Sequence, residues 1–337
     1  MRPVRPCLPL ACLAALLFLL PSPAAPAGED GARPQRIAAN ATFPAAGPLF
    51  AALEPGLEIS QIAPAPGNDP TGILFTILRI DPEKHEFTLG MASEEGRAYS
   101  LLDWSLHLDL RAGINASMYL PDGVTSTGYM RKGQSVNNEK IGGRLGAFFV
   151  ANPTLPGLPK ARILERGASG MPFLPDDYSI VVQNFRFMDS AGNVLWREGG
   201  PVHSIAAVAE DAVGRILFIL CREPLPSEVF AARLKDFALS LRTVMYVEGG
   251  AQAGLFLRLD DSPLSGKNAG ADRSGAAATP PAPPHSGTSV TPLYGAAYFP
   301  VPGGGVHIWK GLQSILNTRG NPQAALPNII GIKRRSR

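Results

Sequence analysis

The chain has 337 residues, of which 45% are hydrophobic and 18% charged, enough to bury a sizeable core in one large domain or two modest ones. Its 36 glycines and 33 prolines point to long loops or an unstructured piece. The formal charge is only +3, so charge gives no argument for a nucleic-acid partner.

Residues 1–27 read as a cleaved secretory signal. Arg2 and Arg5 form a positive start, Leu8 to Leu20 an apolar stretch too short for a comfortable span, and Ala25-Pro26-Ala27 a small-residue cleavage site. Export to the periplasm or the exterior is the expectation, with the membrane met only through the signal before cleavage. Cleavage lowers the basic count from 31 to 29 against 28 acids. It also removes Cys7 and Cys12 and leaves Cys221 alone in an apolar run, where it reads as a small buried hydrophobe.

Residues 28–48, rich in Ala, Pro and Gly, read as a flexible leader. The main domain is expected over 49–261. Its first strand is predicted at 72–80, followed by a turn at Asp81 to Lys84 and a second strand at 85–91, together a hairpin. Helical spacing runs over 100–110. Strands are predicted at 145–150 and 178–187. Two more, 204–208 and 215–221, flank a turn at Asp211 to Gly214. Ser227 is the candidate N-cap of a helix running to about Leu241, with Val229, Phe230, Leu234, Phe237, Ala238 and Leu241 on one face. Thr243 to Val247 and Gly254 to Leu259 follow as strands. Residues 262–289 collapse into Gly, Ala, Ser, Thr and Pro and read as a disordered insertion. The segment 290–337 is expected to return to the domain, with Pro327 to Ile332 as a closing strand.

The segment Met245-Tyr246-Val247-Glu248-Gly249-Gly250 carries the sharpest chemical signal. A lone carboxylate and two glycines end an apolar strand, the position where open sheets place ligand sites. Glu248 fits proton transfer or the anchoring of sugar hydroxyls, or it merely caps a turn. Arg222 follows the preceding apolar strand in the same way. If the two strands are adjacent and parallel, both residues reach one rim, where a guanidinium suits a phosphate or carboxylate. The competing reading of Arg222 is an ion pair with Glu223 or Glu228. Asn115, Tyr119, Asn137, Asn138, Gln183 and Asn184 lie beside apolar runs and suit carbohydrate recognition as a set, although each alone also suits a turn or a cap. The chain has no GxSxG elbow, P-loop, HExxH or CxxC. Gly303-Gly304-Gly305 reads as a flexible turn, and the five histidines show no metal-ligand spacing. No metal or cofactor is expected.

Several segments, in order, resemble the phosphodiester glycosidase family. Ile114-Asn115-Ala116-Ser117-Met118-Tyr119 is similar to its "INAGMF" segment, and Val181-Val182-Gln183-Asn184-Phe185-Arg186 to its "VVQ…R" strand. Gly128 to Met130, Val136 to Asn138 and Arg215 to Pro224 fall at similar places. Met245 to Gly250 is similar to its "YLEGG" or "LDGG" end, and Pro327 to Ile332 to its closing "PNVIGI". The chain departs from the pattern where many relatives carry Asp at position 248, a Ser after the glycines and a Gly at position 116. The resemblance implies an α+β fold, a mixed sheet with few helices, in a single domain. It implies cleavage of a sugar from a phosphodiester-linked sugar or glycan. Glu248 would be catalytic, and Asn115, Tyr119, Asn137, Asn138, Gln183, Arg186, Arg222, Gly249 and Gly250 would bind substrate. Two other readings stand beside this: a non-catalytic envelope binding module of the same fold, and a structural secreted protein whose proline-rich insertion makes the contacts.

Overall fold

The computed structural model describes residues 50–62, 75–167, 177–196, 199–237, 239–258, 297–300, 307–310, 314–318 and 324–335. The expected signal at 1–27, leader at 28–48 and insertion at 262–289 lie outside the described residues. The described part is mostly β-sheet, with three short α-helices: α1 (Ala92–Glu95), α2 (Leu101–His107) and α3 (Ser227–Asp236).

Strands are numbered in chain order. The largest sheet runs β1 (Ala51–Glu54), β2 (Leu57–Ile62), β3 (Phe75–Ile80), β14 (Ile216–Pro226), β13 (Val202–Asp211), β15 (Leu241–Gly249), β12 (Arg186–Met188). A second runs β10 (Ala161–Glu165), β9 (Ala147–Pro153), β11 (Tyr178–Asn184), β7 (Met130–Lys132), β8 (Ser135–Asn138). The third runs β19 (Ser314–Thr318), β16 (Gly254–Arg258), β6 (Ala112–Asn115), β21 (Asn328–Arg334), β4 (His85–Met91). The C-terminal strand β21 thus inserts between β4 and β6, antiparallel to both. Two ribbons pair β5 (Tyr99–Ser100) with β20 (Ala325–Leu326), and β17 (Ala297–Pro300) with β18 (His307–Lys310).

The three sheets share one apolar core. Along β14, Ile216, Phe218 and Leu220 face this core, while Leu217, Ile219 and Cys221 face α3 on the outside. Both faces are covered, so the strand reads as a continuous apolar run with no polar alternation. Phe87 of β4 packs 5.3 Å from Phe149 of β9 and 6.2 Å from Phe218 of β14, one ring from each sheet. Each buried phenylalanine contributes roughly 1.5–3 kcal/mol by leaving water. Helix α3 covers the outer face of the large sheet through Phe230, which stacks on Phe75 at 5.6 Å. Helix α2 covers the third sheet. Its Trp104 lies where a Cβ on Gly90 would sit 2.9 Å away, and its indole Nε1 donates to Leu326 O at 2.8 Å.

Four local expectations change. Strands β3 and β4 do not form a hairpin, because the Asp81 turn carries the chain from the large sheet to the third one. The predicted strand 178–187 breaks at Phe185, and its halves enter two sheets. The N-cap position of α3 falls on Pro226, and Ser227 Oγ is buried without a hydrogen bond among the described residues. The helix ends at Asp236 because the chain turns into β15 at Leu241.

Buried carboxylates tie the sheets together. Glu54 of β1 accepts from Arg111 at 2.9 Å and from Arg334 Nε of β21 at 2.9 Å, and it meets His85 Nε2 of β4 at 2.9 Å. Glu210 of β13 accepts from Ile163 N of β10 at 2.6 Å. Glu165 of β10 accepts from Thr243 of β15 and Arg186 of β12, both at 2.9 Å.

Burial alone would raise the Glu54 carboxyl. Hydrogen bonds with His85 and Arg334 and the charges of Arg111 and Arg334 outweigh burial and hold it at about 2. A carboxyl depressed on folding contributes stability that is full above its unfolded value of 4.5 and is lost as pH falls toward 2. Urea midpoints are therefore expected to drop below pH 4.5 in the wild-type chain and to drop less in Glu54→Gln. Parallel pH profiles for the two proteins would rule this network out as an acid-sensitive tie.

Candidate functional site

Strand β15 carries a bulge where it meets β13. Ala206 pairs with Glu248 and Ala207 with Tyr246, which leaves Val247 as the extra residue. Paired residues share a face of the sheet. Ala207 and Tyr246 belong to the α3 side, whereas Ala206 belongs to the central core. The bulge therefore turns Glu248 onto the face that strict alternation from Tyr246 would deny it. Glu248 faces the core shared by the three sheets, beside Val247.

Glu248 is 8% exposed, and its Oε1 accepts from Gly249 N at 2.9 Å. Burial raises the carboxyl to about 7, against a small opposing effect from that hydrogen bond. Burial, and then the charge of Glu248, also push the Tyr246 phenol above its ordinary value. His203 Nε2 lies 3.2 Å from the Tyr246 hydroxyl, and its Nδ1 lies 3.0 Å from Pro201 O. A carbonyl only accepts, so in the neutral imidazole Nδ1 donates to it and Nε2 accepts from the tyrosine. Gly249 lies beneath this pair: a Cβ there would sit 2.2 Å from both His203 Cδ2 and Tyr246 Oη. Gly250 is needed for a different reason, its left-handed φ of +74°.

After the glycines the chain crosses from the large sheet to the third through a short 3-10 turn, Gly250–Gln252. Asn115, at the end of β6, holds both sides of this crossover. Its Nδ2 donates to Gln252 O at 3.0 Å, and its Oδ1 accepts from Gly254 N at 2.8 Å. The Tyr119 hydroxyl donates to Gln252 Oε1. Both residues expected to bind substrate thus stand beside the glycine turn and fix its shape.

Arg222 and Glu248 are not on adjacent strands. Strand β13 lies between β14 and β15, and the two run parallel because each is antiparallel to β13. Strand β14 also continues past Arg222 to Pro226, so Arg222 does not end its strand as expected. Across Ala206, Glu248 lies level with Leu220, two residues before Arg222, which sets the two positions about 12 Å apart by strand spacing and rise. Arg222 Nε is buried without a hydrogen bond among the described residues, while its carbonyl accepts from Ser204 Oγ at 2.5 Å. Glu228, one of the carboxylates the sequence offers Arg222 as an ion-pair partner, accepts instead from Gly199 N at 3.2 Å.

The other expected residues make protein contacts. Gln183 is fully buried with four hydrogen bonds to backbone: Oε1 accepts from Tyr129 N and Gly142 N, and Nε2 donates to Gly142 O and Leu145 O. An amide so occupied holds a loop in place and has nothing left for a ligand. Asn137 bonds Ser126 N, Ser93 Oγ and Val124 O, and Asn138 bonds Ser126 O and Lys140 N. Arg186 pairs with Glu165. Sequence reading singled these amides out by type, and only tertiary contacts show their partners. It passed over His203, which carries no spacing signal because its partner Tyr246 is 43 residues away. No group of three His, Cys, Asp or Glu side chains among the described residues could hold a metal ion.

No protein-family model and no curated protein matches the chain. Among solved structures it is similar to a hypothetical protein from Synechocystis, at 11% identity over 86% of this chain and 64% of that one, with a TM-score of 0.49. The chain thus spans less than two thirds of that protein. It is also similar to the zebrafish N-acetylglucosamine-1-phosphodiester alpha-N-acetylglucosaminidase catalytic domain auto-inhibited by its pro-peptide. That match is at 9% identity over 83% of this chain and 89% of that one, with a TM-score of 0.47. Both are distant likenesses.

Gly249→Ala is expected to force His203 off Tyr246 and to cost about 1–3 kcal/mol, read from urea denaturation. An unchanged midpoint would mean that the pair moves aside freely. Glu248 gives a second expectation. Its acid is raised on folding, so stability is full below 4.5 and falls as pH rises toward 7, because the unfolded chain ionises first. Glu248→Gln is expected to exceed wild type by up to about 3 kcal/mol above pH 7 and to match it in acid. Equal stabilities at alkaline pH would count against the buried acid.

Proposed function

We propose that the protein is an exported hydrolase that cleaves a sugar from a glycosyl phosphodiester of envelope or extracellular glycans. The observation that carries this reading is Glu248, a carboxyl near neutrality that a bulge aims into the polar end of a three-sheet core. A general acid or base works best when its pKa lies near the working pH. The ordered resemblance of Asn115 to Tyr119, Met245 to Gly250 and Pro327 to Ile332 to phosphodiester glycosidases supports the same reading.

In the proposed reaction a water oxygen attacks the anomeric carbon. The bond from that carbon to the phosphoryl oxygen breaks, and the phosphomonoester leaves with the electron pair. Glu248 takes the proton of the attacking water. Arg222 neutralises the charge gathering on the leaving phosphate, the kind of fixed electrostatic help that matters most where water is excluded. Asn115 and Tyr119 act through the Gly250–Gln252 turn that they hold.

The test is release of free glucose from methyl glucosyl phosphate, a simple phosphodiester, by the purified chain. Turnover is expected in the wild type, with a loss of at least about 100-fold in Glu248→Gln. Equal rates would remove Glu248 from the mechanism. Binding of the diester without any turnover would favour the alternative reading, a non-catalytic module for envelope carbohydrate or phosphate polymers.

A further inference from the structure

We infer that Asn328 and Asn184 form a polyol-binding floor in the same polar end of the core, built to take neighbouring hydroxyls of a sugar ring. The class of ligand rests on the glycosidase reading above; the location rests on the geometry alone.

Asn328 opens β21. It pairs with Met91, and Ile330 lies two residues further on; both face the central core, so Asn328 faces it too. It is 1% exposed, and neither its Oδ1 nor its Nδ2 has a hydrogen-bond partner among the described residues. Among the described residues it is the one carboxamide whose oxygen and nitrogen are both buried and unmatched. Asn184 closes β11 and pairs with Ala147, which also faces the core. It is fully buried. Its Nδ2 donates to Ala116 O at 2.8 Å, and its Oδ1 has no partner among the described residues.

One residue touches both asparagines, the backbone of Asn328 and the side chain of Asn184. Ala116 N donates to Asn328 O at 3.4 Å, while Ala116 O takes the Asn184 bond. The backbone of β15 runs beside Asn184: Tyr246 N, two residues before Glu248, donates to Phe185 O at 3.0 Å. The ends of β6, β11, β15 and the start of β21 therefore bring one carboxyl and two incompletely bonded amides to one end of the shared core.

Buried polar atoms without partners are rare in native proteins and call for a cause. The chemistry of these atoms narrows it. Two oxygens able only to accept oppose an anion such as a phosphate at this floor. A hydroxyl both donates and accepts, so two vicinal hydroxyls satisfy both ends of the Asn328 amide, and a third meets Asn184 Oδ1. The sugar ring thus takes the amide floor, and its phosphate points toward Arg222.

The test uses the full chain. Glucose, mannose and N-acetylglucosamine 1-phosphates are titrated by calorimetry into wild type, Asn328→Leu and Asn328→Ala, and thermal melts are recorded without ligand. Asn328→Leu removes the unmatched groups at similar volume, so its Tm is expected to rise. Its affinity for the sugar phosphate bound by wild type is expected to fall roughly tenfold or more. Asn328→Ala is expected to lose the same affinity, whatever it does to the melt. A lower Tm for the leucine variant with unchanged affinity would mark Asn328 as a structural residue and overturn the inference. So would a wild type that binds none of the three sugars, as when the amides face internal water only. Failure of the hydrolase reading is a separate result: no free sugar from the diester, with sugar-phosphate binding still lost on substitution of Asn328.

Discussion

The candidate site depends on one crossover. Between Gly249 and Gly254 the chain leaves the large sheet and enters the third, and the Asn115 amide grips both the Gln252 carbonyl and the Gly254 amide. Gln252 lies in the turn between the two sheets and Gly254 opens β16, and an unmatched buried amide is costly. A side chain with one donor and one acceptor answers both. With the crossover held, the end of β15 is held, and with it the direction of Glu248.

The second constraint is the bulge at Val247. A strand alternates strictly, so Tyr246 on the α3 side would normally place Glu248 on that side as well. One extra residue sends the phenol to the outer aromatic cluster and the carboxyl to the central core. The carboxyl is then neutralised toward about 7 by burial, while the phenol finds His203. Two polar groups two residues apart thus acquire different surroundings from a single backbone irregularity.

A second polar cluster surrounds a carboxylate at the edge of the large sheet that β1 forms. Glu54 is ringed by Arg111, Arg334 and His85, and its acidity is lowered. Around Glu248 the balance is reversed, with one backbone hydrogen bond on the carboxyl and unmatched amide atoms on Asn184 and Asn328.

Much of this was legible in the amino-acid order. The apolar runs of β13, β14 and β15 and the helix between the last two stand out because burial on both faces demands unbroken hydrophobic stretches. The closing strand at Pro327 to Ile332 shows itself as an apolar run in search of a partner, and Glu248 as a charge that interrupts one. Pairing between distant segments was not legible. Nothing local says that β13 separates Arg222 from Glu248, that Asp81 turns the chain into a different sheet, or that Gln183 meets four backbone groups. An amide looks the same in sequence whether its partners are carbonyls or a ligand. By itself the sequence determined which segments must be buried and which residue types end them. Only the tertiary structure decided which of those polar ends meet and which atoms on them are already bonded, because hydrogen-bond satisfaction depends on groups brought together from far along the chain.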